Sequence, residues 1–167
     1  METKKAIDIL KMAILVEKRG FAFYSRVAEN TTDPDIQHIF LVMADEETKH
    51  VKFLSDQFVH YDKKQKFAQV NLPEPGQELI ANLILNGEMK QKISASGFEA
   101  AAISAAIDFE KKSIEVYSKQ GEISTDPNEK ALYLWLADWE KGHLKILSDI
   151  DNELKEKIWN DNQFWPF

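Results

Sequence analysis

The chain of 167 residues contains no cysteine. That absence excludes a disulfide framework, a thiolate zinc site, an iron–sulfur cluster and a cysteine nucleophile. There is no surplus of basic charge either: 21 Lys and Arg stand against 28 Asp and Glu, a net charge of −7. No nucleic-acid partner is expected of such a chain, because binding phosphates takes a basic surface. No stretch approaches the roughly 18 consecutive apolar residues of a membrane span. The opening METKKAIDILKMAILVEKRG scatters charges among its apolar residues and has no small-residue cleavage site, so no secretory signal is read there. The remaining composition, 44% hydrophobic and 29% charged, is ordinary for a globular protein. The expectation is a single cytoplasmic domain over residues 1–167, with no membrane partner and a core large enough to need no covalent staples.

An internal repeat organises the sequence. A shift of 93 residues aligns 13–57 with 106–150 without a gap and gives 19 identities in 45 positions, where chance gives about three. Among the matched pairs are Glu17/Glu110, Tyr24/Tyr117, Asp33/Asp126, Pro34/Pro127, Ala44/Ala137, Asp45/Asp138, Glu47/Glu140 and His50/His143. Each unit reads as two helices. Leu10, Ile14, Phe21, Tyr24 and Ala28 recur at three- and four-residue spacing, the mark of one buried stripe. Asp33-Pro34 and Asp126-Pro127 then break the pattern, with the acid suited to the N-cap and the proline to the first helical position. The stripe resumes through Ile36, Ile39, Phe40, Met43, Val51 and Leu54, and in the second unit through Leu132, Leu136, Leu144 and Leu147. Helices are expected near 3–30, 34–60, 97–121 and 127–155. At 1.5 Å per residue each is roughly 40 Å long, the dimensions of an all-α four-helix bundle built from two helical hairpins. The intervening 61–96 contains the loop signal NLPEPG and a possible short helix at 77–93. It is long enough to cross the length of the bundle and is expected to let the second hairpin pack parallel to the first. The tail 158–167 carries Trp159, Phe164, Trp165 and Phe167, expected to pack on the bundle or on another subunit.

Polar residues inside the apolar stripes carry the chemistry. Glu17 lies among Ala13, Ile14 and Phe21, and Glu110 among Ala106, Ile107 and Ile114. Glu47 lies among Met43, Ala44 and Val51, and Glu140 among Leu136, Ala137 and Leu144. His50 and His143 follow Glu47 and Glu140 by three residues, so each Glu–His pair faces one side of its helix. Buried, unpaired carboxylates are costly and would protonate or seek a cation. Lys18, Lys49, Lys111 and Lys141 adjoin the ligand positions in sequence and so point elsewhere. Two divalent ions would neutralise four carboxylates, with both imidazoles neutral. The separation of 30 residues within each hairpin puts Glu17 beside Glu47 and Glu110 beside Glu140 at mid-bundle height. A carboxylate-rich set with one imidazole per ion suits iron or manganese better than zinc or calcium.

One Glu from each of two helices and Glu-x-x-His from each of the others is the pattern of ferritin-like di-iron proteins. The strings ADEETKH (44–50) and ILVEKRGFAFYSRVAE (14–29) resemble the rubrerythrin branch over nearly all the chain outside 61–96. That resemblance implies metal ligands Glu17, Glu47, His50, Glu110, Glu140 and His143, with Glu47 and Glu140 bridging and Glu17 and Glu110 terminal. It implies two iron ions, with manganese or a mixed pair as alternatives. It also implies an oxidoreductase that reduces hydrogen peroxide or dioxygen while Fe(II) is oxidised, fed by a separate electron donor, and a homo-oligomer of two or more copies. The same ligand set resembles bacterioferritin, which makes a non-catalytic iron-binding or storage module the alternative function. A structural helical dimer without metal is a third possibility. Ser113 stands where rubrerythrin-type sites carry a further glutamate, and no cysteine-ligated electron-delivery module lies in this sequence. Thr48 stands where a haem-ligating methionine would sit in bacterioferritin, so no haem is expected.

Other residues have plainer expectations. Tyr24 and Tyr117 follow the terminal glutamates by seven residues on the same face. Core packing is their first expectation, with hydrogen bonding to the carboxylates or radical carriage as alternatives. Gly20 and its repeat mate Ser113 leave space that either opens a coordination position or lets helices approach closely. Glu46, Asp45 and Asp138 are expected to be solvated, and His38 and His60 to lie at the surface. Glu99 sits about 16 Å of helix rise from Glu110, too far to share its site.

Overall fold

A computed structural model describes residues 2–69, 71–73 and 97–161. Helix α1 spans Glu2–Asn30, α2 Pro34–Lys64, α3 Phe98–Ile123 and α4 Pro127–Asp161. No strand occurs among the described residues, and the fold is the all-α four-helix bundle expected. The punctuation acts as its chemistry dictates. Asp33 Oδ1 accepts the amide of Ile36 at 3.2 Å, and Asp126 Oδ1 accepts those of Asn128 and Glu129 at 2.8 and 3.2 Å. Both acids thereby satisfy amides that the first helical turn leaves without partners. Helix α2 overruns its expected end to Lys64 and closes on Gln65, which adopts the left-handed φ of 54° and returns its amide to the Tyr61 carbonyl at 2.8 Å.

Helix α1 packs along α2, and α3 along α4. The hairpins lie antiparallel rather than parallel. Tyr24 reaches Glu110 while Tyr117 reaches Glu17, so α1 and α3 run in opposite directions. His50 meets Trp135 while Glu46 meets His143, which sets α2 against α4 in the same way. One cleft is lined by Ala6 and Ile9 from the start of α1, by Tyr61 from the end of α2, and by Thr125 from the second turn. The two hairpin turns therefore occupy opposite ends, related by a pseudo-twofold axis across the bundle. The connection after α2 must cover roughly 40 Å to reach the start of α3.

The buried apolar side chains form two clusters. One gathers Tyr24, Val27, Phe40, Met43, Ile103, Ala106, Leu147 and Ile150. The other gathers Leu10, Leu54, Tyr61, Tyr117, Leu132, Tyr133 and Leu136. On every helix the segment between the two clusters carries the polar stripe residues, so the site is enclosed between apolar halves. Phe21 departs from expectation at 45% exposed. At about 100° per residue it falls about 90° from the centre of the face carrying Ala13, Gly20, Tyr24 and Val27, which puts it on the flank of the stripe.

The start of the long connection is fastened down: Gln57 exchanges two 3.0 Å hydrogen bonds with the backbone of Ala68, and the Trp135 indole donates to the Pro73 carbonyl at 2.6 Å. The helix expected at 77–93 lies outside the described residues; of the tail expected over 158–167, residues 158–161 continue α4 and the rest lies outside the described residues. No described helix is long and apolar enough to cross a membrane.

Candidate metal centre

All six stripe residues converge. Glu17, Glu47, His50, Glu110, Glu140 and His143 are each at most 1% exposed. Their atoms form two groups: Glu17, Glu47, His50 and Glu140 in one, and Glu47, Glu110, Glu140 and His143 in the other. Within each group the potential ligand atoms lie within 4.8 Å of one another. Glu47 and Glu140 belong to both groups, while Glu17 and Glu110 each belong to one.

The imidazoles enter by the same nitrogen. His50 Nδ1 lies 2.9 Å from Glu17 Oε2, 3.2 Å from Glu140 Oε1 and 3.6 Å from Glu47 Oε2. His143 Nδ1 lies 2.9 Å from Glu140 Oε2, 3.4 Å from Glu110 Oε1 and 3.9 Å from Glu47 Oε1. The sequence-adjacent Lys18, Lys49, Lys111 and Lys141 are all exposed, so the imidazoles are the cationic groups facing the carboxylates. Buried among acids, both are driven well above the ordinary imidazole range, since attraction to the glutamates outweighs desolvation. Burial would raise Glu140, but His50 and His143 overcome it and hold that carboxylate ionised. Burial followed by repulsion from Glu140 pushes Glu110 up to about 7 and raises Glu47 as well.

The protein's own groups do not satisfy this box. Both oxygens of Glu47 and of Glu140, Oε2 of Glu110 and Nδ1 of His143 are buried without a hydrogen-bond partner. Buried polar atoms are almost always paired, and leaving several acceptors unpaired at one point is costly. A pair of hard divalent cations fits this donor set in charge and type: carboxylate oxygens with one imidazole nitrogen on each side.

Residues around the box orient it. Tyr24 and Tyr117 are fully buried, and their hydroxyls donate to Glu110 and Glu17 of the opposite hairpin. They thus pack and hydrogen-bond at once, holding one oxygen of each terminal carboxylate. A methyl group on Gly20 would stand 2.9 Å from Glu47 Cδ and 3.1 Å from the Phe109 ring. The room at Gly20 is therefore taken by Glu47 itself and by Phe109, close packing rather than an open coordination position.

Glu46 overturns its expectation of solvation. It is 5% exposed, and its Oε2 accepts from His143 Nε2 at 2.6 Å and from the Trp139 indole at 2.9 Å. A residue expected at the surface thus holds one imidazole of the site. The available signal was its repeat mate, Trp139, since a position occupied by tryptophan in one copy is a poor candidate for solvent in the other. Asp45 and Asp138 are exposed as expected and pair with Lys49 and Lys141. Glu99, His38 and His60 belong to neither group.

The family model described as Rubrerythrin matches residues 8–151. No curated protein and no solved structure gave a significant match.

Proposed function

This chain belongs to the rubrerythrin family, and on that premise we propose that it is a di-iron oxidoreductase acting on hydrogen peroxide or dioxygen. Glu17, Glu47, His50, Glu110, Glu140 and His143 would hold the metal pair, Glu47 and Glu140 being the members that the two groups share. Iron bound there would supply the redox chemistry, a two-electron Fe(II)/Fe(III) couple sufficient to reduce hydrogen peroxide, with two protons, to two waters. The observation that carries this reading is a pair of buried donor groups sharing two carboxylates, none of whose four oxygens has a hydrogen-bond partner.

The chain's part is geometric and electrostatic. Four carboxylates around the pair favour the higher metal charge and so favour giving up electrons. The crossed hydroxyls of Tyr24 and Tyr117 fix the outer carboxylates, which limits how far the donor set relaxes between oxidation states. The apolar clusters on either side exclude bulk water and strengthen every charge interaction inside. The electrons that restore Fe(II) come from outside these 167 residues, which have no cysteine with which to hold an iron–sulfur or thiolate relay.

Metal analysis of the purified chain, paired with peroxide consumption under a reductant, tests the proposal. Two irons per chain and repeated turnover are expected. An iron-free chain that takes up no Fe(II) overturns the reading. So do assemblies that retain hundreds of irons without turnover, which is the behaviour of a storage module.

A further inference from the structure

The repeat that builds the centre symmetrically is broken around its two imidazoles. His50 and His143 are repeat mates, and so are Glu46 and Trp139. On the His143 side, Nε2 donates to the buried Glu46 carboxylate at 2.6 Å. On the His50 side the matched position is Trp139, whose ring stands edge-on to the imidazole with centroids 5.3 Å apart, and Trp135 stands likewise at 5.6 Å. The indoles offer no acceptor, and His50 Nε2 is buried without a hydrogen-bond partner. The Trp139 indole N–H turns instead to Oε2 of Glu46, the oxygen that holds His143. The two repeat-matched side chains therefore meet each other, and both serve one half of the site.

We propose that Glu46 makes the two metal positions unequal, so that the ion beside His143 binds more tightly and fills first. The inference rests on the two-ion reading above and adds a positioning residue to it. A carboxylate accepting Nε2–H fixes the tautomer that leaves the Nδ1 lone pair facing the box, holds the ring plane, and makes Nδ1 a stronger donor. Such outer partners are worth about 10- to 100-fold in metal affinity. His50 has no counterpart: the proton either stays on Nε2, unpaired beside the Trp135 and Trp139 rings, or sits on Nδ1, where it takes the lone pair a metal needs, and either alternative weakens Nδ1 as a donor.

Titration of Mn(II) into the metal-free full chain, followed by the electron paramagnetic resonance signal of free Mn(II), tests this without reference to turnover. The wild type should bind two ions in steps separated by at least about tenfold. His50→Ala should retain the tighter step, and His143→Ala the weaker one. Glu46→Leu should bring the two wild-type steps to within about threefold of each other. Glu46→Gln keeps an acceptor without the charge and should narrow the separation less; it also serves if the leucine variant does not fold. Two ions bound in one unresolved step by the wild type would overturn the inequality while leaving the centre intact. An unchanged separation in either folded Glu46 variant would overturn the role of Glu46. Fewer than two ions in the wild type would overturn the two-ion centre itself, and this inference with it.

Discussion

Two halves of one site, copied from one repeat, differ in a consistent way. Facing the box they are the same: a glutamate from the first helix of each hairpin, a Glu–His pair from the second, and a tyrosine from the opposite hairpin. Behind the imidazoles they part, with Glu46 on one side and Trp135 with Trp139 on the other. Residues that would touch an ion are pinned by geometry, because exchanging any of them changes charge or donor count at the ion. Residues one layer out touch only a ring edge, where an acid and an indole both fit and differ in how firmly the imidazole is held.

The comparison can be broken outright at the shared carboxylates. Glu47→Ala with Glu140→Ala removes the members common to both groups, so metal content should fall from two ions per chain to near none by elemental analysis. Removing one unshared carboxylate divides the halves instead. Glu17→Ala and Glu110→Ala should each leave one bound ion, and the ion surviving in Glu17→Ala, beside His143, should be the harder to strip with a chelator. Acidity sharpens the contrast less severely. Glu110 keeps its proton up to about 7, whereas binding a metal requires the carboxylate. Affinity at the His143 side should therefore fall as pH drops below 7, by at least about tenfold per unit, because the Glu110 proton is displaced in addition to the one that His143 gives up; calorimetry in buffers of different ionisation enthalpy counts the protons released. The smallest expected effect is at Gly20. Gly20→Ala should add about 1 kcal/mol of helix propensity against a crowding cost of similar size at Glu47 and Phe109, so the melting temperature of the metal-free chain should change little. The methyl would nonetheless push on Glu47, and both ions should weaken several-fold together, leaving the gap between the halves intact.

The sequence made much of this visible for a definite reason. A shift of 93 residues exposes every position that both hairpins keep, so the helices, the caps at Asp33 and Asp126 and the six converging residues could all be read from pairs. What the two copies do not share stayed hidden. Glu46 is one half of an acid–indole mismatch, and its imidazole partner lies 97 residues away on another helix, where no local period connects them. The antiparallel setting of the hairpins was also out of reach, because spacing within a hairpin is the same whichever end the second one turns. Phe21 was misplaced because three- and four-residue steps drift around the helix, and a residue at the edge of a stripe keeps the spacing while losing the burial.

The crossed tyrosines bear on how such a chain could have arisen. Because Tyr24 reaches Glu110 and Tyr117 reaches Glu17, a lone hairpin leaves its hydroxyl and its outer carboxylate unmatched, and two identical hairpins would complement each other about a true dyad. Such an assembly, however, must place one residue type at both copies of any position and could never set an acid against an indole. Joining the halves into a single polypeptide lifts that restriction, and the Glu46–Trp139 contact is an arrangement closed to two identical hairpins.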